Sequence, residues 1–332
     1  MLLPDAEPQI QAHLQGWFRY QALAKLYQLQ QRPDELAALQ EAEQVLAEQV
    51  LVKLALVSVM PGLGVIIGIG LLIVIVSQRL IKGQQSWLAQ NSALGWSTPW
   101  DGEVVWQVLI LTFFVVGQIV LPLCFGLLGL DTAHFGARSQ ALLILVNYLL
   151  FGLAGFLILY LSIRQFLPLP AGWFRFNLRG HWLAWGLGGY LVAIPLVIVV
   201  SLVNDQIWQG RGGSNPLLPI ALEGRNSFAM ACFLITAAVA APLFEEVMFR
   251  GFLLPSLTRY LSVNGSIFIS SLLFAIAHLS LSEILPLTVL GMVLGFVYTR
   301  SRNLLSPILV HGLWNSGTLL TLFILGSGTH PG

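Results

Sequence analysis

The feature that most constrains this chain is a series of eight apolar segments that follow residue 50. They cover residues 54–76, 105–128, 141–163, 182–202, 228–249, 265–279, 284–298 and 306–325. A helix rises about 1.5 Å per residue, so about 20 apolar residues cross the roughly 30 Å of hydrocarbon in a bilayer. Because backbone groups in hydrocarbon must be bonded within the protein, the segments predict an all-α, polytopic membrane protein with about eight transmembrane helices. The sixth and seventh segments are short, and we expect them to form a tight pair on either side of Glu283.

The composition favours the same class. Of 332 residues, 56% are hydrophobic and 9% are charged, whereas a soluble domain carries about 25% charged residues. The formal net charge is +1 and the sequence contains no basic run. We therefore predict an integral, multi-pass protein surrounded by membrane lipids, with no nucleic-acid partner.

Residues 1–50 differ from the rest, because seven of the fifteen acidic residues lie there. Apolar residues recur at helical spacing, and Pro33-Asp34-Glu35 is typical of a helix start with acidic residues in its first turn. We predict a short hairpin of two amphipathic helices. It could pack as a cap on the membrane domain, or it could place the aromatic cluster at residues 17–20 on the membrane surface or on a partner.

Polar residues inside the apolar segments point to the functional site. Only Glu245 and Glu246, among the acidic residues, join an apolar segment without an intervening turn. His278 lies in the next segment, and His311 and Asn315 lie in the last one. Each would be a costly unsatisfied group if it stood alone in hydrocarbon. We therefore expect the three segments to bring these side chains together.

Helical spacing gives the two glutamates different roles. Arg250 follows Glu246 by four residues, which places both on one helix face as a structural ion pair. Glu245 is turned roughly 100° away and is free to face a cavity as the reactive carboxylate. A carboxylate in that position suits a general base. The Gly-rich connection at 205–225, just before this segment, is either an ordinary linker or a flap beside the site.

Three motifs in this order resemble the CAAX-protease and bacteriocin-processing (CPBP) family of intramembrane endopeptidases, which includes the Ras-converting enzymes. The motifs are Glu245-Glu246-x-x-x-Arg250, Phe274-x-x-x-His278 and His311-x-x-x-Asn315. The resemblance covers about residues 180–325. It implies a protease core at 180–325 that follows the polar region at 1–50 and three additional transmembrane helices at 51–179, with a short tail at 326–332.

The resemblance also implies catalytic roles for four residues. Glu245, helped by His278, would activate a water for attack on a peptide carbonyl. His311 and Asn315 would donate hydrogen bonds to the developing oxyanion. The supporting residues would be Glu246, Arg250 and Phe274. The implied substrate is a membrane-borne or lipidated protein or peptide.

Other functions remain open from the sequence alone. Glu245, His278 and His311 could form a His₂Glu zinc site, but the sequence contains no His-Glu-x-x-His helix, and we expect no cofactor. The same polar cluster could instead hold helices together in a non-catalytic scaffold or a bacteriocin-immunity-type protein. Intramembrane carboxylates also occur in transporters, but we find no pair of inverted repeats in this sequence.

Overall fold

The computed structural model describes residues 5–129, 135–209 and 227–326. It is 83% helical with no strand in the part of the chain that it describes, which confirms the all-α, polytopic class. The longer helices are α1 Ala6–His13, α2 Gly16–Leu29, α3 Pro33–Lys82, α4 Gly102–Leu127, α5 Ala137–Ile163, α6 Trp182–Trp208, α7 Ser227–Leu257, α8 Val263–Ala277, α9 Ile284–Ser301 and α10 Leu305–Gly326. The Gly-rich connection predicted at 205–225 lies mostly outside the described residues, and so does most of the predicted tail.

Within the described ranges, seven helices are long and apolar enough to cross a membrane, rather than about eight. They are α3, α4, α5, α6, α7, α9 and α10, so the protein is an integral, multi-pass membrane protein. The eighth predicted segment is α8, which has 15 residues and therefore rises only about 22 Å. Its start is fixed by Ser262, whose hydroxyl accepts a hydrogen bond from the Gly265 N–H. Its end lies near Leu279, which has a left-handed φ of 55°.

The first compact unit covers residues up to Met60. The second helix of the predicted hairpin is the beginning of α3, which continues without a break from Pro33 to Lys82. No glycine or proline lies between residues 34 and 60, so nothing in the sequence ends the helix there. Glu7 on α1 accepts hydrogen bonds from Arg32 at 2.8 Å and from the Tyr27 hydroxyl at 2.7 Å. The Arg32 guanidinium and then this hydroxyl lower the pKa of the Glu7 carboxyl.

The second compact unit begins at Pro61 and has α7 at its centre. All seven residues from Val247 to Leu253 are buried. Helix α9 packs against both α8 and α6, and α10 packs against α6 and α7. These contacts hold α7, α8 and α10, which carry the predicted site residues, next to one another.

Two glycines on α3 provide a matched test of close helix packing. A Cβ atom at Gly68 would overlap the Leu191 carbonyl oxygen and come within 2.9 Å of Pro195 Cδ, whereas a Cβ at Gly70 would meet nothing within 4 Å. We expect Gly68→Ala to lower the free energy of unfolding by about 1–3 kcal/mol, because the backbone of α6 must move away. Gly70→Ala should leave it nearly unchanged. Thermal unfolding in detergent would check this, and equal shifts in the two variants would contradict it.

Candidate active site

The buried glutamate of the pair, Glu246, joins α7 to α10. Its Oε1 accepts a hydrogen bond from Arg250 Nη1 at 2.8 Å, one turn along the same helix, and both side chains have zero exposed area. The same oxygen lies 2.8 Å from Nδ1 of His311. Arg250 also donates from Nη2 to the Gly291 carbonyl oxygen at 3.1 Å, and its guanidinium lies 4.4 Å from the centre of the Phe274 ring. The predicted ion pair therefore connects α7 to three neighbouring helices, α8, α9 and α10.

Glu245 points away from this ion pair, as the helical spacing predicts. Its Oε1 accepts a hydrogen bond from the Tyr148 hydroxyl at 2.7 Å. Its Oε2 is buried and has no hydrogen-bond partner in the described part of the chain. The Nε2 atoms of His278 and His311 each lie 3.9 Å from this Oε2, too far for a direct hydrogen bond. One unpaired carboxylate oxygen thus faces two imidazole nitrogens.

Both imidazoles are oriented by their other nitrogen. Nδ1 of His278 lies 2.8 Å from the Phe274 carbonyl oxygen, which can only accept, so Nδ1 carries the hydrogen. Nδ1 of His311 is held in the same way by the Glu246 carboxylate. The Phe274 ring is fully buried and touches both imidazoles, with ring centroids 4.7 Å from His278 and 5.6 Å from His311. Each Nε2 is therefore directed at Glu245.

Asn315 lies one turn beyond His311 and binds the backbone of α7. Its Nδ2 donates to the Ala237 carbonyl oxygen at 2.7 Å. Residues 235–240 of α7 form a π-helical segment, in which a carbonyl is bonded by the N–H five residues later. That residue is Pro242, which has no N–H to give. The amide of Asn315 supplies the missing donor, and its second N–H remains for another acceptor.

A cavity of about 250 Å³ opens beside Glu245 and His278. Its other lining residues come mainly from α4 and α5, which lie outside the region carrying the motifs: Phe113, Gly117, Gln118, Leu121, Asn147, Tyr148 and Phe151, with Phe249 and Ala277. His311 and Asn315 do not line it. The cavity gives one face of Glu245 access to space between membrane-spanning helices.

The structure therefore gathers six of the seven predicted site residues into one cluster, and the seventh, Asn315, lies beside it on α10. Sequence reasoning missed Tyr148, which contacts Glu245 from α5. A hydroxyl in the middle of the segment 141–163 was the available signal, together with the adjacent Asn147. No motif connects Tyr148 to the glutamates, because 97 residues separate it from Glu245.

The zinc alternative would use Glu245, His278 and His311 as ligands. No group of three or more His, Cys, Asp or Glu side chains, among the residues that the structure describes, is arranged so that it could hold a metal ion. The need for a cofactor stays a matter of prediction.

A known protein family matches the part of the chain that carries the candidate site. A family model described as "Type II CAAX prenyl endopeptidase Rce1-like" matches residues 227–317, which include all seven predicted site residues. YxdF of Lactococcus lactis, named a UPF0177 protein, is 31% identical over 138 residues, which are 41% of this chain and 73% of YxdF. This chain belongs to the CAAX-protease and bacteriocin-processing family.

Two other relatives in this family have names that describe peptidases. MroQ of Staphylococcus aureus, a membrane-embedded CAAX protease, is 23% identical over 217 residues, which are 64% of this chain and 87% of MroQ. YdiL of Bacillus subtilis, provisionally named a membrane peptidase, is 28% identical over 132 residues, which are 40% of this chain and about half of YdiL, 53%. No solved structure matches the chain. From the family model and these names, the chain is a CAAX-protease-like membrane protein.

Proposed function

We propose that this protein is an intramembrane endopeptidase that hydrolyses a peptide bond of a membrane-borne or lipidated protein. The observation that carries the proposal is the buried, unpaired Oε2 of Glu245, which faces the Nε2 atoms of His278 and His311, each 3.9 Å away. An isolated carboxylate oxygen in a membrane protein costs several kcal/mol. Such a cost is expected at a reactive group that must bind a water.

In the proposed reaction Glu245 acts as the general base. A water within hydrogen-bond reach of Oε2 loses a proton to the carboxylate as its oxygen attacks the peptide carbonyl carbon. The C–N bond then breaks, and the proton passes from Glu245 to the leaving nitrogen, which departs as an amine. His278 orients the water, because its Nε2 is directed at the same oxygen.

The oxyanion formed in this step needs hydrogen-bond donors that are already in place. His311 is one proposed donor, because its Nδ1 is held by Glu246 and its Nε2 is directed at Glu245. The free N–H of Asn315 is the second candidate. Its other hydrogen bond, to Ala237, fixes the amide against α7. His311 and Asn315 therefore each make one hydrogen bond within the protein and are each proposed to donate another to the oxyanion.

We propose that this chemistry needs no metal cofactor. The Nδ1 bonds of both histidines and the pairing of Glu246 with Arg250 suit an acid–base site, in which carboxylates and imidazoles exchange protons. The reaction class itself, a CAAX-type peptidase, is supported by the description of the family model and by the name of MroQ.

The function can be tested by comparing the C-termini of membrane proteins in cells that carry either the wild-type protein or Glu245→Ala. We expect a small set of proteins to be shortened only in cells with the wild-type protein. An identical set of C-termini in the two strains would contradict the proposal. A biological effect that persists in both Glu245→Ala and His278→Ala would favour the scaffold or immunity alternative, in which the polar cluster only holds helices together.

Tyr148 is proposed as a positioning residue for Glu245, because its hydroxyl fixes Oε1 and leaves Oε2 free. A hydrogen bond to a charged group contributes about 1.5–3 kcal/mol, so Tyr148→Phe should lower kcat by about 10- to 100-fold. KM should change little. The matched control is Tyr160→Phe on the same helix, since Tyr160 is exposed and lies outside the cavity. Equal activity in the two variants would show that Tyr148 does not position the base.

A further inference from the structure

Two amide side chains in the cavity have no role in the reaction proposed above. Gln118 on α4 and Asn147 on α5 line the cavity that contains Glu245 and His278. Both side chains are exposed, and neither makes a hydrogen bond to another residue that the structure describes. Asn147 directly precedes Tyr148, whose hydroxyl is bonded to Glu245.

Both amides lie deep within their membrane-spanning helices. Gln118 is nine residues before the end of α4 at Leu127, and Asn147 is ten residues after the start of α5 at Ala137. At about 1.5 Å per residue, each lies about 14–15 Å from its helix end, near the middle of a bilayer core about 30 Å thick. An amide without a partner is energetically unfavourable in such surroundings.

The local packing keeps the two amides at the cavity. Gly117 lets α4 approach α5 closely, since a Cβ there would come within 3.2 Å of the Phe151 ring. Phe151 in turn packs on Phe113 and Phe244, with ring centroids 5.8 Å and 5.1 Å away. Aromatic side chains therefore fill the space next to the amides. Among the residues of α4 and α5 that line the cavity, the polar side chains are Gln118, Asn147 and Tyr148.

The chemistry of an amide suggests what binds here. Each Gln or Asn side chain offers one carbonyl acceptor and two N–H donors, which match the N–H and C=O groups of a peptide backbone. A substrate segment that stays helical in the membrane has already bonded those groups internally. Only an unwound segment exposes them, and an endopeptidase must also reach an unwound backbone to attack its carbonyl.

We propose that Gln118 and Asn147 form a subsite that binds the backbone of an unwound membrane-borne peptide and holds it beside Glu245. This inference rests on the proposed function, because it names how that substrate is held. It also gives α4 and α5 a role in recognition, although they lie outside the region that matches the family model. The preferred substrate is a transmembrane or lipid-anchored peptide whose helix is interrupted near the scissile bond.

The subsite can be tested by binding in lipid nanodiscs, without relying on cleavage. The probe is a fluorescein-labelled, membrane-spanning peptide of about 25 leucine and alanine residues with a central Gly-Pro pair, compared with a twin that has Ala-Ala there. We expect the Gly-Pro peptide to bind the wild-type protein more tightly than the Ala-Ala twin does. Because a net hydrogen bond is equivalent to about fivefold in affinity, Gln118→Leu and Asn147→Leu should each weaken binding about fivefold, and the pair about 25-fold.

The matched control is Gln107→Leu, since Gln107 is exposed on α4 but does not line the cavity. It should leave binding unchanged, and the Ala-Ala twin should be insensitive to every variant. The single variants keep the test valid if the double variant fails to fold. The proposal is overturned if the Gly-Pro peptide does not bind, or if its binding is unchanged in both single variants. Amide-dependent binding without cleavage would count against the proposed function but not against the subsite.

Discussion

The Glu245→Gln variant is expected to lose peptidase activity by about 10²–10⁴-fold, the usual contribution of a general base, while it remains folded. The amide has the size of the carboxylate and can still accept the hydrogen bond from Tyr148 that Oε1 accepts. It cannot take a proton from water. The measurement is hydrolysis of a substrate peptide by purified protein, with the thermal unfolding midpoint as the check on folding.

Two comparisons make this result specific. Glu283→Gln, which changes a half-buried carboxylate at the start of α9 outside the cavity, should keep full activity. Metal chelators should also leave the expected peptidase activity of the wild-type protein unchanged. Activity that is lost to chelators and restored by stoichiometric zinc would overturn the glutamate mechanism, and an active Glu245→Gln variant would do the same.

The second large effect is expected on stability, from Arg250→Met. Removing this guanidinium leaves the Glu246 carboxylate buried, with zero exposed area and without its cationic partner. Breaking a buried ion pair from one side typically costs about 3–5 kcal/mol, because one charge stays desolvated. The variant should also weaken the contact between α7 and α9, since Arg250 donates to the Gly291 carbonyl oxygen. Unfolding in mixed micelles with increasing SDS would measure the change.

The double variant Glu246→Gln/Arg250→Met separates charge burial from packing. It removes the uncompensated carboxylate, so it should recover most of the stability that Arg250→Met loses. Arg164→Met, at an exposed position after α5, serves as the control and should change the free energy of unfolding by less than about 0.5 kcal/mol. If the double variant is no more stable than Arg250→Met, packing of the guanidinium dominates and the electrostatic explanation is wrong.

Local spacing is the part of the site that the sequence could predict. Glu246 and Arg250 pair as expected because residues four apart share a helix face in any α-helical surroundings. The same helical spacing places Glu245, one residue earlier, on a different face of α7. The apolar segments predicted the membrane class, since hydrocarbon admits few backbone structures. We predicted about eight spans, whereas seven helices in the described residues are long enough to cross a membrane. The difference is α8, which is apolar but has only 15 residues.

The sequence by itself thus determined the membrane class, the glutamate ion pair and the set of polar residues that must meet. Only the tertiary structure decided which atoms meet. It placed the Tyr148 hydroxyl on Glu245, bonded His311 to Glu246, and bonded Asn315 to the carbonyl that Pro242 leaves without a donor. These contacts join residues on different helices, so they depend on how the helices pack rather than on spacing along one of them. The physical reason is that helix periodicity fixes a side chain's direction on its own helix, whereas its partner is set by whichever helix packs against that face.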